Sequence, residues 1–338
     1  MVIKLDNFAE KTYLGQVRQL RNLALHAIKL FPIELEKLQF INHGENTTFK
    51  VTAACGSKYL LRIHRANYHS ACAIGEELEW LKLLEKHGFN VPEPMASHNG
   101  ELLTKVEYKG LNRQCSLLKW VEGRFVEKSI SPGHLFQAGK LLAGFQNATP
   151  KSFSQHRIYW NSEGLAGEQP MFGCYDKLEG ISSADQELIS QARRAIFARL
   201  TAYEKSFPEK MGLIHADLHF GNILNQNGKL AAIDFDDCGF GFHVYDLVIP
   251  YMGAQAMMNE DKKKRSDEFF AALIAGYQTS KVFTHQDESL FHCLLACRRI
   301  LMLGWLNSRS DNPRLREVLP RQIARAVEHI NNNAHHFM

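Results

Sequence analysis

The chain has 338 residues, 45% hydrophobic and 22% charged, with a formal net charge of +4. That length and apolar content support a large buried core in one or two domains. The near-balanced charge does not advertise a nucleic-acid or membrane-surface binder, for which a clustered basic face would be expected.

Cysteines stand at 55, 72, 115, 174, 238, 293 and 297. They form no Cys-x-x-Cys pair and their number is odd, so neither a zinc ribbon nor a disulfide framework is indicated, and a reducing compartment fits. Cys293 and Cys297 lie one helical turn apart and read as a packing pair. Met1–Asp6 lacks the apolar core of a secretory signal, and no apolar run reads as long enough to cross a bilayer. The expectation is a cytoplasmic protein.

In chain order, residues 8–30 carry Leu14, Val17, Leu20, Leu23, Ala24 and Ile28 at helical spacing, with Pro32 interrupting. The texture from Glu34 to Val121 is strand-like. Thr47–Ala54 and Lys58–His64 flank a Cys55-Gly56-Ser57 turn and predict a hairpin. One helix is embedded, Ser70–His87, with Ile74, Leu78, Leu81 and Leu84 on one face and Gly88 as its stop. Pro92 and Pro94 mark an extended connection, and Leu102–Tyr108 and Gln114–Val121 predict two further strands. A turn at Glu122-Gly123-Arg124 is the candidate lobe boundary.

Beyond it helices are predicted near 133–147, 183–206, 244–258, 262–279, 286–306 and 313–333. Short apolar runs at Gly212–Ile214, Ile223–Asn225 and Leu230–Phe235 interrupt them. The fold class is therefore α+β, a strand-rich N-lobe followed by a mostly helical C-lobe. Its expected parts are an N-terminal helical segment (1–32), an N-lobe (33–121) and a C-lobe (122–338).

The chemistry concentrates between Leu213 and Asp237. His215, Asp217 and Asn222 have the spacing H-x-D-x-x-x-x-N, and Asp234 follows a second apolar strand. In kinase catalysis the loop Asp accepts the acceptor hydroxyl's proton, while the Asn and a later Asp hold the metal that bridges the nucleotide phosphates. Hard oxygen ligands suit Mg²⁺, and a fixed carboxylate orients the attacking hydroxyl. Taken singly, each residue reads as a turn or capping group; jointly they point to phosphoryl transfer. A rival reading takes His215, Asp217 and His219 as a metal cluster of a hydrolase, but no second H-x-H accompanies it.

These residues resemble the aminoglycoside phosphotransferase/choline kinase-like family, in particular its bacterial branch of type II homoserine kinases and the stress-response kinase. The similarity extends to Glu45–Val51, Leu60–Arg65, Glu77–Leu81, Val91–Pro94, Lys119–Arg124, Tyr245–Leu247, Ala275–Tyr277 and Arg298-Arg299. It implies a protein kinase-like two-lobed fold, ATP and Mg²⁺ as cofactors, Asp217 as catalytic base and Asn222 and Asp234 as metal ligands. Asp246 would support the catalytic loop from behind, or serve as an ordinary helix-start carboxylate.

Strand parity puts Lys58, Leu60, Arg62 and His64 on one face, so Leu60 could cover adenine while Arg62 reaches the phosphates. Many kinases place Lys there; Arg is always charged and offers a planar fork. The family pattern favours Glu77 as the partner of Arg62, with Glu76 and Glu79 as competitors. Asn46, Thr47 and Thr48 could supply donors to phosphate, or form an ordinary hairpin turn. Trp120 and Val121 would present hinge backbone to the adenine edge, with Trp120 alternatively a core residue.

Acceptor candidates are His219, Asp237 and Arg299, with Tyr159, Trp160 and Trp305 beside them. The expected function is transfer of the γ-phosphate to a hydroxyl of a small molecule such as an amino alcohol, hydroxy amino acid or aminoglycoside. A protein Ser/Thr kinase and a nucleotide-binding pseudokinase are the alternatives. No nucleic-acid or membrane partner is expected.

Overall fold

The computed structural model describes residues 8–126, 130–153, 156–173, 175, 178–310 and 312–337. The readings made for Met1–Asp6 and Cys174 lie outside them. The chain forms two compact units, Met1–Arg124 with Ala231–Asp236, and Phe125–Leu230 with Asp237–Met338.

In the first unit, α1 (Tyr13–Ala27) precedes β1 (Leu35–His43), β2 (Thr47–Ala53) and β3 (Lys58–Ile63). After β3 come α2 (Ala71–Lys86), β4 (Pro94–Met95), β5 (Thr104–Tyr108) and β6 (Leu111–Lys119). The strands make one antiparallel sheet in the order β1-β2-β3-β6-β4, with β5 also on β6. Alternation along β2 and β3 sends Phe49, Val51, Tyr59, Leu61 and Ile63 into a core completed by Leu20, Leu23 and Ala24 of α1. The opposite parity of β3 leaves Leu60 and Arg62 on the other face. Ser70 caps α2 by accepting from the Ala73 N–H (3.1 Å), and Gly88 at φ +82° ends it. The four residues expected on its inner face are all buried.

In the second unit, β7 (Arg124–Phe125), which straddles the boundary, leads to α3 (Pro132–Ala148), β8 (Ile158–Trp160), α4 (Ser162–Ala166) and α5 (Ser183–Ser206). β9 (Met211–Ile214), β10 (Ile223–Gln226), β11 (Lys229–Ala232) and β12 (Gly239–Phe242) follow. The remainder is helical: α6 (His243–Met257), α7 (Glu260–Lys263), α8 (Ser266–Tyr277), α9 (His285–Asn307) and α10 (Pro313–Asn333). β8, β12 and β9 form a small sheet, with β12 parallel to β8 and antiparallel to β9.

Helices α3 and α8 cross where neither bears a side chain. A Cβ at Gly139 would lie 2.1 Å from the Leu273 carbonyl oxygen, and one at Gly276 would lie 1.9 Å from that of Phe136. The bilayer expectation needs a correction. α9 is long and apolar enough to cross a membrane by length and composition, but 72% of its most apolar window is buried in protein, as befits a core helix.

Candidate active site

In the second unit, the loop after β9 is built around the Asp246 carboxylate, near the start of α6. Its Oδ2 accepts the His215 N–H (3.0 Å) and its Oδ1 the Ala216 N–H (2.7 Å). Ala216 adopts a left-handed backbone, φ 64°, which is unfavourable for a residue with a Cβ. The two hydrogen bonds hold that turn. Asp246 is 1% exposed; burial pushes its pKa up to about 7, against the pull of the two backbone donors.

The turn delivers Asp217 into a ring of donors. Arg298 Nη2 donates to Asp217 Oδ1 at 2.9 Å, and His219 Nε2 lies 3.5 Å from Oδ2. The Asn222 amide donates to the Asp217 carbonyl oxygen (3.0 Å) and reaches Oδ2 at 3.4 Å. The Asp217 N–H donates to His215 Nδ1 (3.3 Å). Arg298 is itself buried, its Nη1 donating to the Tyr245 hydroxyl at 2.9 Å. Burial opposes its charge, but Tyr245 and Asp217 raise its pKa. Tyr245 stacks on Trp160, ring centroids 5.7 Å apart. The Asp237 carbonyl accepts the Trp160 indole N–H at 2.8 Å.

In the first unit, Arg62 is buried, and its Nη1 lies 2.5 Å from Glu77 Oε1 on α2. Asp234 stands 3.5 Å and Asp236 3.8 Å from the same guanidinium. Burial disfavours the charge on Arg62, and Glu77, Asp234 and Asp236 together raise its pKa. Asp236 is held low for the converse reason: burial raises it, and Arg62, then His69 and His64, outweigh that. Asp234 follows β11 with φ 63° and an exposed side chain; Asp tolerates that backbone better than most residues.

The family model for the phosphotransferase enzyme family matches residues 37–288, well over half of the chain. The chain belongs to this family. The phosphotransferase is 25% identical over 288 residues to amicoumacin kinase of Bacillus subtilis (strain 168), covering 82% of this chain and 81% of that protein. The structure of a microcompartment-associated aminopropanol kinase is 26% identical, with TM-score 0.76 over 91% of this chain and 95% of that one. A second solved structure, amicoumacin kinase hAmiN in complex with AMP-PNP, Ca²⁺ and Ami, is 24% identical, with TM-score 0.76 over 91% and 93% of the two chains. The fold is the protein kinase-like one, and the chain is an enzyme, a phosphotransferase with an alcohol group as acceptor.

The phosphotransferase gathers Asp217, His219 and Asn222 around one loop, and Arg62, Glu77 and Asp234 around one guanidinium. Glu77, not Glu76 or Glu79, meets Arg62. Leu60 is half-buried on the same strand. The side chains of the β1–β2 turn are already engaged: Asn46 Oδ1 accepts the Arg65 N–H (3.1 Å), and the Thr47 hydroxyl pairs with His43 (2.7 Å). Trp120 is half-buried, its N–H donating to the Lys58 carbonyl (3.1 Å) and its ring under Lys50 at 4.4 Å, and Val121 follows it. Among the looser acceptor candidates, Trp160 is fully buried and serves as the floor beneath Tyr245, whereas Tyr159 is 48% exposed. Arg309 covers the Trp305 ring at 4.5 Å. Arg299 turns its Nη2 to Gln255 (3.0 Å). Its neighbour Arg298, which sequence reasoning left without a role, is the residue that grips Asp217.

Proposed function

We propose that this enzyme moves the γ-phosphate of ATP, with Mg²⁺, to the hydroxyl of a small molecule, an amino alcohol or hydroxy amino acid being the acceptor class to test first. The observation that carries this reading is the Asp217 carboxylate, fixed through Oδ1 by Arg298 and approached at Oδ2 by Asn222 and His219. A carboxylate so fixed can accept a hydrogen bond from an acceptor hydroxyl and take its proton as the oxygen attacks.

Asn222 and Asp234 are the proposed metal ligands. The donor set suits the ion: the Asn222 amide nitrogen is engaged by Asp217, which leaves its oxygen, and Asp234 offers an exposed carboxylate. When bound, the ion would neutralise triphosphate charge. Arg62, steadied by Glu77, would bind phosphate oxygens. Leu60, Trp120 and Val121 would pack on the base, and the backbone of Asn46 and Thr47 would face the phosphates. His219 and Asp237 remain the acceptor-side candidates.

On this reading 33–121 handles nucleotide and 122–338 the acceptor, with 1–32 as a separate helical segment. The cytoplasm, which supplies both ATP and reduced thiols, is the proposed location.

The test is ADP release with aminopropanol and homoserine, in the parent and in Asp217→Asn. The variant should lose roughly a hundred- to ten-thousandfold in kcat while retaining thermal stabilisation by ATP with Mg²⁺. Turnover near the parent rate would remove Asp217 from the role.

A further inference from the structure

Arg299 follows Arg298 on α9, and a step of one residue turns a helix by roughly 100°, so the two guanidiniums serve different places. Arg298 goes to Asp217; Arg299 goes to a cavity of about 200 Å³ between α6, α9 and α10. Its Nη2 donates to Gln255, but its Nε is buried with no acceptor among the described residues. A buried N–H on a charged group without a partner costs about 1–3 kcal/mol or more, and such an atom calls for a ligand.

The surroundings aggravate the imbalance. Arg325 of α10 lines the same cavity, and among the described residues neither arginine has a carboxylate within salt-bridge distance. Burial lowers the pKa of Arg299 and Arg325 lowers it further, with Tyr251 and the exposed Glu328 pulling the other way. His329, one turn beyond Arg325, is pushed down to about 4 by burial and then by Arg299, His292 and His336, and its Nε2 is also buried with no partner among the described residues. The rest of the wall is apolar apart from Gln322: Met252, Met302, Leu306, Ala326 and, at the rim, Val318, which is 39% exposed. Two cations lining one cavity with thioether and aliphatic carbon suit an anion bearing a short apolar body. A guanidinium's planar fork matches a carboxylate's two oxygens.

We propose that the cavity between α6, α9 and α10 is a second binding site, for a small organic carboxylate whose head lies between Arg299 and Arg325 and whose apolar body lies against Met252 and Met302. This goes beyond the phosphoryl-transfer reading and does not depend on it.

The probe is hexanoate, measured by titration calorimetry on the full chain, with 1-hexanol as its uncharged counterpart. Binding in about the millimolar range is expected for so small a ligand. Arg325→Gln, at an exposed position, should weaken hexanoate at least about tenfold, the loss of one charged hydrogen bond. Val318→Glu, which adds a like charge at the rim, should weaken it as much. Stabilisation of both variants by ATP with Mg²⁺ is read in the same samples and should persist. That separates loss of this site from loss of fold or failure of the kinase reading. Equal binding of 1-hexanol, hexanoate affinity unchanged in Arg325→Gln, or no hexanoate binding to the parent would each overturn the proposal.

Discussion

Asp246 is the place where a single substitution should test how the loop is built. The residue is 1% exposed, and its two oxygens satisfy the N–H groups of His215 and Ala216 at 3.0 and 2.7 Å. Asp246→Ala leaves both donors buried and unpaired, at about 1–3 kcal/mol each, so urea unfolding should show a loss of about 2–6 kcal/mol if the loop keeps its shape. Asp246→Asn keeps one acceptor oxygen and turns an NH₂ group toward the other N–H, so its loss should be about half as large. The loop can also yield. Ala216 sits at φ 64°, a conformation costing about 1–3 kcal/mol, and relaxing it would recover part of the stability while moving Asp217. Stability and turnover therefore trade against each other, and ADP release measured alongside unfolding distinguishes the routes. Asp246→Ala with both stability and kcat unchanged would refute the argument that this carboxylate sets the loop.

The remaining predictions concern charge, pH and packing. Glu77→Gln removes the buried anion at 2.5 Å from Arg62 and leaves the more distant Asp234 and Asp236. The protein should lose about 3 kcal/mol in urea unfolding and bind ATP more weakly by calorimetry. His243 is buried and its pKa lowered to about 3, by burial first and then by Lys281, Lys151 and Lys210 against Asp287. Its neutral form stabilises the fold fully above the unfolded value near 6.5 and loses that contribution as pH falls toward 3. From pH 7.5 to pH 5 the loss should be about 2 kcal/mol, and His243→Gln should flatten the slope of stability against pH over that window. Gly276→Ala puts a methyl 1.9 Å from the Phe136 carbonyl oxygen, so α3 and α8 must separate; calorimetric unfolding should show a loss of about 1–3 kcal/mol.

Much of this architecture is written locally. α5 and α10 fall on the residues that their apolar periodicity predicts, and Ser70, Thr284 and Asn312 cap α2, α9 and α10 with their own side chains. Failures occur where a distant partner decides. The run 262–279 reads as one helix but breaks between α7 and α8. Leu230–Phe235 reads as a strand, yet β11 stops at Ala232 and Asp234 takes the left-handed backbone. β12 went unread because glycines do not signal a strand. Gly239 and Gly241 are needed there, since Cβ atoms would come within 2.4 Å of the Ile158 oxygen and 2.6 Å of the Trp160 Cβ. The carboxylates of the site are legible from spacing, but Arg298 is not. It lies 81 residues from Asp217, and within α9 it looks like any helical arginine.

Two of the buried arginines, Arg62 and Arg298, stand against carboxylates. On the phosphoryl-transfer reading, carboxylates of both units would meet a metal and a polyanion, and a fixed cation beside them holds them in place. Each unit answers with one guanidinium that cannot lose its proton. Arg62 stands among Glu77, Asp234 and Asp236, and Arg298 sits against Asp217. Lysine would supply charge at both positions without the fork, and at Arg298 the fork is in use, one nitrogen on Asp217 and the other on Tyr245. A lysine there would have to leave one of them. Holding charge in this way rarely adds stability over an apolar core of the same shape. On that reading, its presence in both units follows from the chemistry the carboxylates would serve rather than from the needs of folding.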